Sequence, residues 1–480
     1  VPDSHLAGLL FCAAFLIRLT AWLGAAIFGT DGCHYLLMAD WMGEGRYSDA
    51  LSIAYHPLYP LLIAIVRIPL GSTVDAAGLV SVALGAAAVV PLLRIVRSVF
   101  GRPEAFAAAL LYAFNPSIIE AQSDILTEGT FAFFFISSMW LTWQMMETPT
   151  LARAATLGAA AAAAFLTRPE GILAVAFAVA WPLAELVRRR DQAAVRIGGV
   201  ALALVVAVVA VFPYLLWIKS VRGHWDLSVR PSMDSAMRAV GLLVDPGSEG
   251  EGAGSGMYPS FFKAIYRLTY LVTIPFYLLG LFALRKLKGR AVIFYLSFPL
   301  ASLAGLLFTL RTHTFMSYRY VVPAMGVLTG VAALGMTTAL RWIAARRPQA
   351  RALPAAAAAA LLLLAVLPCV RALNASRWEC RSYLDAARWI RARGQPRVLS
   401  GPVQQVAYLT GCRSLYSASS HEGIRRQVGE DKVDYYVYTE KDLEKRPAYV
   451  AMLRSCDVLD PPVEIVGPPG TWKLYVQRAK

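Results

Sequence analysis

Eleven apolar runs, most of them long enough to carry a helix across a hydrocarbon layer, divide the chain between Leu6 and Leu373. They are Leu6–Phe28, Ala76–Val96, Glu104–Ile118, Leu126–Met145, Ala152–Leu166, Ile172–Val187, Gly198–Ile218, Leu268–Leu284, Ala291–Leu310, Tyr320–Leu340 and Leu353–Leu373. With 57% hydrophobic and only 16% charged residues in 480, an ordinary soluble globule is excluded. The expected fold is an α-helical polytopic membrane protein with about 11 transmembrane helices. No cleavable signal pattern precedes the first run, so it is read as a retained span.

Basic side chains fix the expected orientation, because Lys and Arg in short connections stay on the cytoplasmic side. With the N-terminus inside, the inner connections hold Arg94, Arg97 and Arg102, then Arg153, then Arg188, Arg189, Arg190 and Arg196. Further along they hold Arg285, Lys286, Lys288 and Arg290, then Arg341, Arg346, Arg347 and Arg351. The longer outer loops carry fewer. These inner arginines account for much of the net charge of +15 and are expected to meet anionic lipid head groups, so the charge gives no reason to expect nucleic acid as a partner.

Two domains are expected. Residues 1–373 form the membrane part, with a long outer loop over 29–75, and residues 374–480 form a small extracytoplasmic α/β domain. In that second part, Arg377–Arg393 has helical spacing with Tyr383, Leu384, Ala387 and Ile390 on one face. Short β-rich runs follow at Arg397–Ser400, Tyr435–Tyr438, Val463–Val466 and Trp472–Val476. No two of the six cysteines have the spacing of a zinc site, and oxidation among Cys380, Cys412 and Cys456 stays open.

The outer loops carry the candidate chemistry. The first begins Asp31-Gly32-Cys33-His34-Tyr35, where Thr30 or Asp31 can cap a helix with Tyr35, Met38, Ala39 and Met42 at helical spacing. It returns through His56-Pro57-Leu58-Tyr59-Pro60, a stretch stiffened by its prolines. Glu120, Asp124 and Glu128 form a second acidic set, followed by the turn Arg168-Pro169-Glu170-Gly171. A late outer loop holds Arg311, His313, Tyr318, Arg319 and Tyr320. Each residue alone has an ordinary reading: a cap for Asp31, an ion pair with Glu170 for Arg168, an interfacial aromatic for Tyr35. Together they gather carboxylates and cations on one side of a membrane, where ionisable groups usually mark a substrate path.

In this order the motifs resemble the GT-C membrane glycosyltransferases, and within them the family 39-like group of protein O-mannosyltransferases and lipid A aminoarabinose transferases. The resemblance covers roughly Leu6–Leu340. It implies a sugar donor linked to a polyprenyl phosphate, an extracytoplasmic hydroxyl acceptor on a lipid, glycan or protein, and transfer with inversion. It implies that Asp31 is the general base. Arg319, Arg168, His56 and Tyr320 are the candidates for the donor phosphate; Asp124, Glu128 and Tyr35 are candidates for a second acid or for acceptor binding. Many relatives carry a second acid directly after the loop aspartate; here that position is Gly32. No metal or other cofactor is therefore expected. The Arg- and Ala-rich composition suggests a bacterial inner membrane. The competing function is a transporter or flippase of lipid-linked sugars, which needs polar residues deep in the spans, and Arg18 is the clearest of the few available.

Overall fold

The computed structural model describes residues 3–53, 55–188, 193–228, 257–287, 289–309, 317–346, 356, 359–360, 363, 367–373, 377–401, 404–415 and 420–480. Arg189, Arg190, Lys288, Arg311, His313, Arg347, Arg351 and much of the run 353–373 lie outside them. The chain divides into two compact units. One is Val1–Trp22 with Met38–Leu373, and the other is Leu23–Leu37 with Asn374–Lys480.

The first unit is helical: α1 (Asp3–Leu23), α2 (Thr30–Gly43, whose first turns belong to the second unit), α3 (Tyr47–Ser52), α4 (Leu58–Leu70), α5 (Thr73–Ala87), α6 (Val89–Val99), α7 (Arg102–Phe114), α8 (Pro116–Gln122), α9 (Glu128–Glu147), α10 (Leu151–Thr167), α11 (Ile172–Leu186), α12 (Ala193–Arg222), α13 (Met257–Leu284), α14 (Arg290–Thr309) and α15 (Val322–Arg346). Among the described residues, seven helical segments are long and apolar enough to cross a membrane. They match seven of the eleven apolar runs. Of the other four, Glu104–Ile118 is broken at Asn115, because Pro116 disfavours helical geometry at the residue before it. The Asn115 carboxamide accepts from the amides of Ser117 and Ile118, so the break restarts as α8. Leu151–Thr167 is a shorter apolar helix, α9 is not among the seven, and the last run is largely undescribed. In α15, 89% of the apolar window is buried, against 22% for those of α13 and α14. α15 is therefore the middle of the bundle and the other two are its rim.

Charged residues inside this unit are fastened to protein. Arg18 is fully buried in α1. Its Nε donates to Gln122 Oε1 at 2.9 Å, and its Nη1 to the carbonyls of Ala14 and Ala113 at 3.0 and 3.1 Å. It thus does not snorkel, and among the described residues an amide and two main-chain carbonyls, not a carboxylate, take its Nε and Nη1 donors. Of the inner basic residues expected at lipid head groups, Arg196 and Arg290 are likewise engaged internally, while Arg341 reaches a buried carboxylate from an exposed position. Arg290 pairs with Glu147 and Glu185, Arg341 pairs with Glu104, and Arg196 donates to the Met145 and Met146 carbonyls at the end of α9. Buried helix ends need such partners, since no water reaches their last carbonyls.

The second unit carries a five-stranded mixed sheet of β1 (Val398–Ser400), β2 (Arg413–Leu415), β3 (Tyr435–Thr439), β4 (Val463–Ile465) and β5 (Leu474–Arg478), in the order β2-β1-β3-β5-β4. β1 runs parallel to β2 and β3; β5 is antiparallel to β3 and β4. β2 is the strand that the β-rich runs do not announce. It is three residues long and its first two are exposed, so it lacks an apolar signature. Ser382–Arg391 is helical and buries Tyr383, Ala387 and Ile390 of the expected face together with Ala386, while Leu384 is only half-buried. Leu23–Leu37 joins this unit through particular contacts. Phe28 packs edge-on to Tyr408, Gln405 donates to Thr30, and Arg377 donates to the Ile27 carbonyl. Cys380, Cys412 and Cys456 carry free thiols, so no bridge joins them.

Candidate active site

Three turns of the first unit converge on one carboxylate. Glu128 opens α9, is 3% exposed, and accepts from Arg168 Nη1 on Oε1 at 3.2 Å. Arg168 stands where α10 ends. Pro169 holds it extended, and the short 3-10 turn Pro169–Gly171 then carries Glu170 back onto its guanidinium. The contact is two-pronged: Nη2 reaches Glu170 Oε1 at 2.9 Å and Nε reaches Oε2 at 3.3 Å. Gly171 is what lets this turn fold tightly against α10, since a Cβ there would lie 2.3 Å from the Ala164 carbonyl carbon. Burial alone would lower the basicity of Arg168, but Glu170 and then Glu128 outweigh it and hold the guanidinium above its ordinary value.

The third turn is Tyr318–Val321, capped by Ser317. Arg319 places its Nε 4.0 Å from Glu128 Oε1 and 3.2 Å from Ser317 Oγ. The Tyr320 ring lies 5.3 Å from the Arg168 guanidinium, and Phe131, one turn into α9, lies 5.5 Å from it on another side. Glu128 thus bridges two arginines by one oxygen. Its Oε2 is buried with no hydrogen-bond partner among the described residues. At Gly129 a Cβ would sit 2.6 Å from the Ser81 carbonyl oxygen, so the α9 start is pressed onto α5 and Glu128 is held by the backbone packing.

The other candidates occupy different settings. His56 is buried beside Phe165 and Tyr214, with ring centroids 5.3 and 5.2 Å away. Its Nδ1 meets the Phe165 carbonyl at 2.7 Å; the carbonyl can only accept, which puts a proton on Nδ1. Asp124 is buried at the end of α8, and its Oδ1 accepts from the Ile125 amide at 2.8 Å. Tyr59 is fully buried with its hydroxyl 2.7 Å from Ser81 Oγ, a hydrogen bond within the core. In the second unit Asp31 is partly exposed in the first turn of α2, and Tyr35 is buried one turn further on. Among the described residues no group of three or more His, Cys, Asp or Glu is placed to hold a metal ion. Ser317 and Tyr214 escaped the sequence reading. A single serine before a Tyr-Arg-Tyr run and a single tyrosine in a long apolar run carry no pattern of their own.

The sequence profile of the dolichyl-phosphate-mannose-protein mannosyltransferase family matches residues 55–217, which include His56, Glu128, Arg168 and Tyr214. The structure of ArnT from Cupriavidus metallidurans bound to undecaprenyl phosphate superposes with a TM-score of 0.61 at 14% identity, covering 99% of this chain and 98% of that one. The fold is that of the GT-C membrane glycosyltransferases. The archaeal oligosaccharyltransferase AglB from Archaeoglobus fulgidus, in complex with an inhibitory peptide and a dolichol-phosphate, shares it with a TM-score of 0.61 at 12% identity, over 98% of this chain and 74% of that one. No curated protein sequence matches the chain. The GT-C fold makes the chain an integral membrane protein, consistent with its apolar helices.

Proposed function

We propose that the chain is a glycosyltransferase that moves a sugar from a polyprenyl-phosphate donor to a hydroxyl of a lipid, glycan or protein on the extracytoplasmic side, with the N-terminus cytoplasmic and the host membrane a bacterial inner membrane. The observation that carries this reading is the convergence of Arg168 and Arg319, from two separate turns, on buried Glu128, with Glu170 and Tyr320 held against Arg168. Independent caps and surface pairs would not meet at one carboxylate.

In the reaction, the acceptor O–H bond and the bond from the anomeric carbon to the phosphate oxygen break while the new glycosidic bond forms. The hydroxyl proton goes to a carboxylate base, and the electron pair leaves with polyprenyl phosphate. Asp31 is the proposed base, a role in which a positioned carboxylate accelerates by about 10² to 10⁴. Attack opposite the leaving phosphate inverts the anomeric centre. The phosphate gains charge as it departs, and Arg319 is the proposed group that receives it. Arg168 is saturated by two carboxylates, so its part is to position Glu128 and, through it, Arg319.

The test is single-turnover transfer from a synthetic polyprenyl-phosphate sugar with purified wild-type and Asp31→Asn proteins, following free polyprenyl phosphate by mass spectrometry. Release by wild type alone supports the reading. Release by neither, from folded protein with acceptor present, overturns it in favour of a lipid-linked-sugar transporter, which moves its cargo intact.

A further inference from the structure

Tyr214 carries a polar group that packing in the first unit does not explain. It sits in α12, is 5% exposed, and its hydroxyl is buried with no hydrogen-bond partner among the described residues. Its apolar neighbours include Ala162, Phe165, Ala207, Val211 and Ile218, and Asp226 and Arg222 are near enough to act on it electrostatically without making a hydrogen bond to the hydroxyl. A buried phenol left without an acceptor is destabilising where a phenylalanine of the same shape would be neutral. Buried tyrosines ordinarily find a partner for the hydroxyl. The ring also lies against His56, whose own orientation is fixed by the Phe165 carbonyl.

We infer that the Tyr214 hydroxyl is a binding group for the lipid-linked sugar donor, donating its hydrogen bond to an oxygen of that ligand. The inference rests on the glycosyltransferase reading for the identity of the ligand. A buried phenol with no hydrogen-bond partner among the described residues is a donor awaiting an acceptor, and the donor lipid brings two kinds: the phosphate oxygens and the sugar hydroxyls. No covalent step is assigned to Tyr214. It holds the donor beside His56 while other groups perform the transfer.

Tyr214→Phe removes one oxygen and leaves the ring, so the variant is expected to fold with a melting temperature equal to or above that of wild type. Affinity is then measured for polyprenyl phosphate alone and for the polyprenyl-phosphate sugar. One hydrogen bond to a phosphate or a sugar is expected to be worth about 10-fold in affinity. Weakening of both ligands assigns the contact to the phosphate; weakening of the sugar-bearing ligand alone assigns it to the sugar. Unchanged affinity for both overturns the inference, as does a lowered melting temperature with unchanged affinity, which shows that the hydroxyl already has a partner in the fold. The two readings fail separately. If wild type binds these lipids and catalyses no transfer, the enzyme reading falls while the Tyr214 contact is still judged by the same affinities.

Discussion

Replacing Glu128 by Gln keeps the volume and removes one charge from between two guanidinium groups. At 4.0 Å the Arg319–Glu128 attraction is about 4 kcal/mol at an effective dielectric constant of about 20, before the desolvation that offsets it. Arg168 keeps its two-pronged contact to Glu170, so no buried guanidinium is stranded. The loss therefore resembles that of a charge-assisted hydrogen bond, about 1.5–3 kcal/mol, and falls short of the 3–5 kcal/mol for breaking a buried pair outright. If that energy serves to aim Arg319 at the departing phosphate, it is withdrawn from the transition state, and kcat falls by about 10- to 100-fold. Donor binding moves the other way or not at all, because a negative neighbour of the phosphate has been neutralised. The expected signature is a lowered kcat with KM unchanged or reduced, read in a transfer assay alongside a thermal melt. A variant with wild-type kcat and a lowered melting temperature would refute the argument and leave Glu128 as a structural pin.

Other substitutions probe the same frame. Arg319→Ala should weaken polyprenyl-phosphate binding by about 10-fold or more, and Arg319→Lys should restore part of it, since a lysine returns the charge without the planar fork; equal binding by all three removes Arg319 from the phosphate. Gly171→Ala should lower the melting temperature and the activity together, because the added methyl meets the α10 backbone at 2.3 Å; an unperturbed melt would show that the turn yields. Alkylation of denatured, unreduced protein should modify all six cysteines. Recovery of four would reveal a bridge formed in the host membrane.

The membrane class and the GT-C fold were legible in the sequence because both rest on long-range patterning: apolar length for the spans, and the order of polar motifs between them. The β-rich runs likewise announced four of the five strands, whereas the exposed, three-residue β2 had no alternation to read. What the sequence could not show was which charges meet. Arg168 next to Glu170 suggests a local pair, and that pair is present, but the contact to Glu128 is 40 residues away and depends on Gly129 pressing α9 onto α5. Arg18 shows the same limit, because a fully buried arginine held by an amide and main-chain carbonyls leaves no opposite charge in the sequence to match it with. Leu23–Leu37 grouping with the C-terminal unit rests on Phe28, Thr30 and Ile27 meeting residues more than 300 positions later, and no local periodicity encodes that.

The charge balance of the cluster bears on how it would act. Glu128 and Glu170 offset Arg168 and Arg319, so the site is neutral before substrate arrives. The proposed donor is a phosphodiester with one negative charge; the product is a phosphomonoester on which a second charge develops as the bond to the sugar breaks. A strongly cationic pocket would grip donor and product alike and slow release. A neutral one that can turn a single arginine toward the departing oxygen favours the charge that exists only as the bond breaks, and only interactions stronger in the transition state than in the ground state accelerate the step. Two carboxylates beside two arginines, which look wasteful for an anion site, are on this argument what makes the site selective for the leaving group over the resting donor. Adding charge should then cost turnover. Glu170→Gln, which leaves the pocket cationic, is expected to bind polyprenyl phosphate more tightly and release it more slowly, and faster release from that variant would defeat the argument.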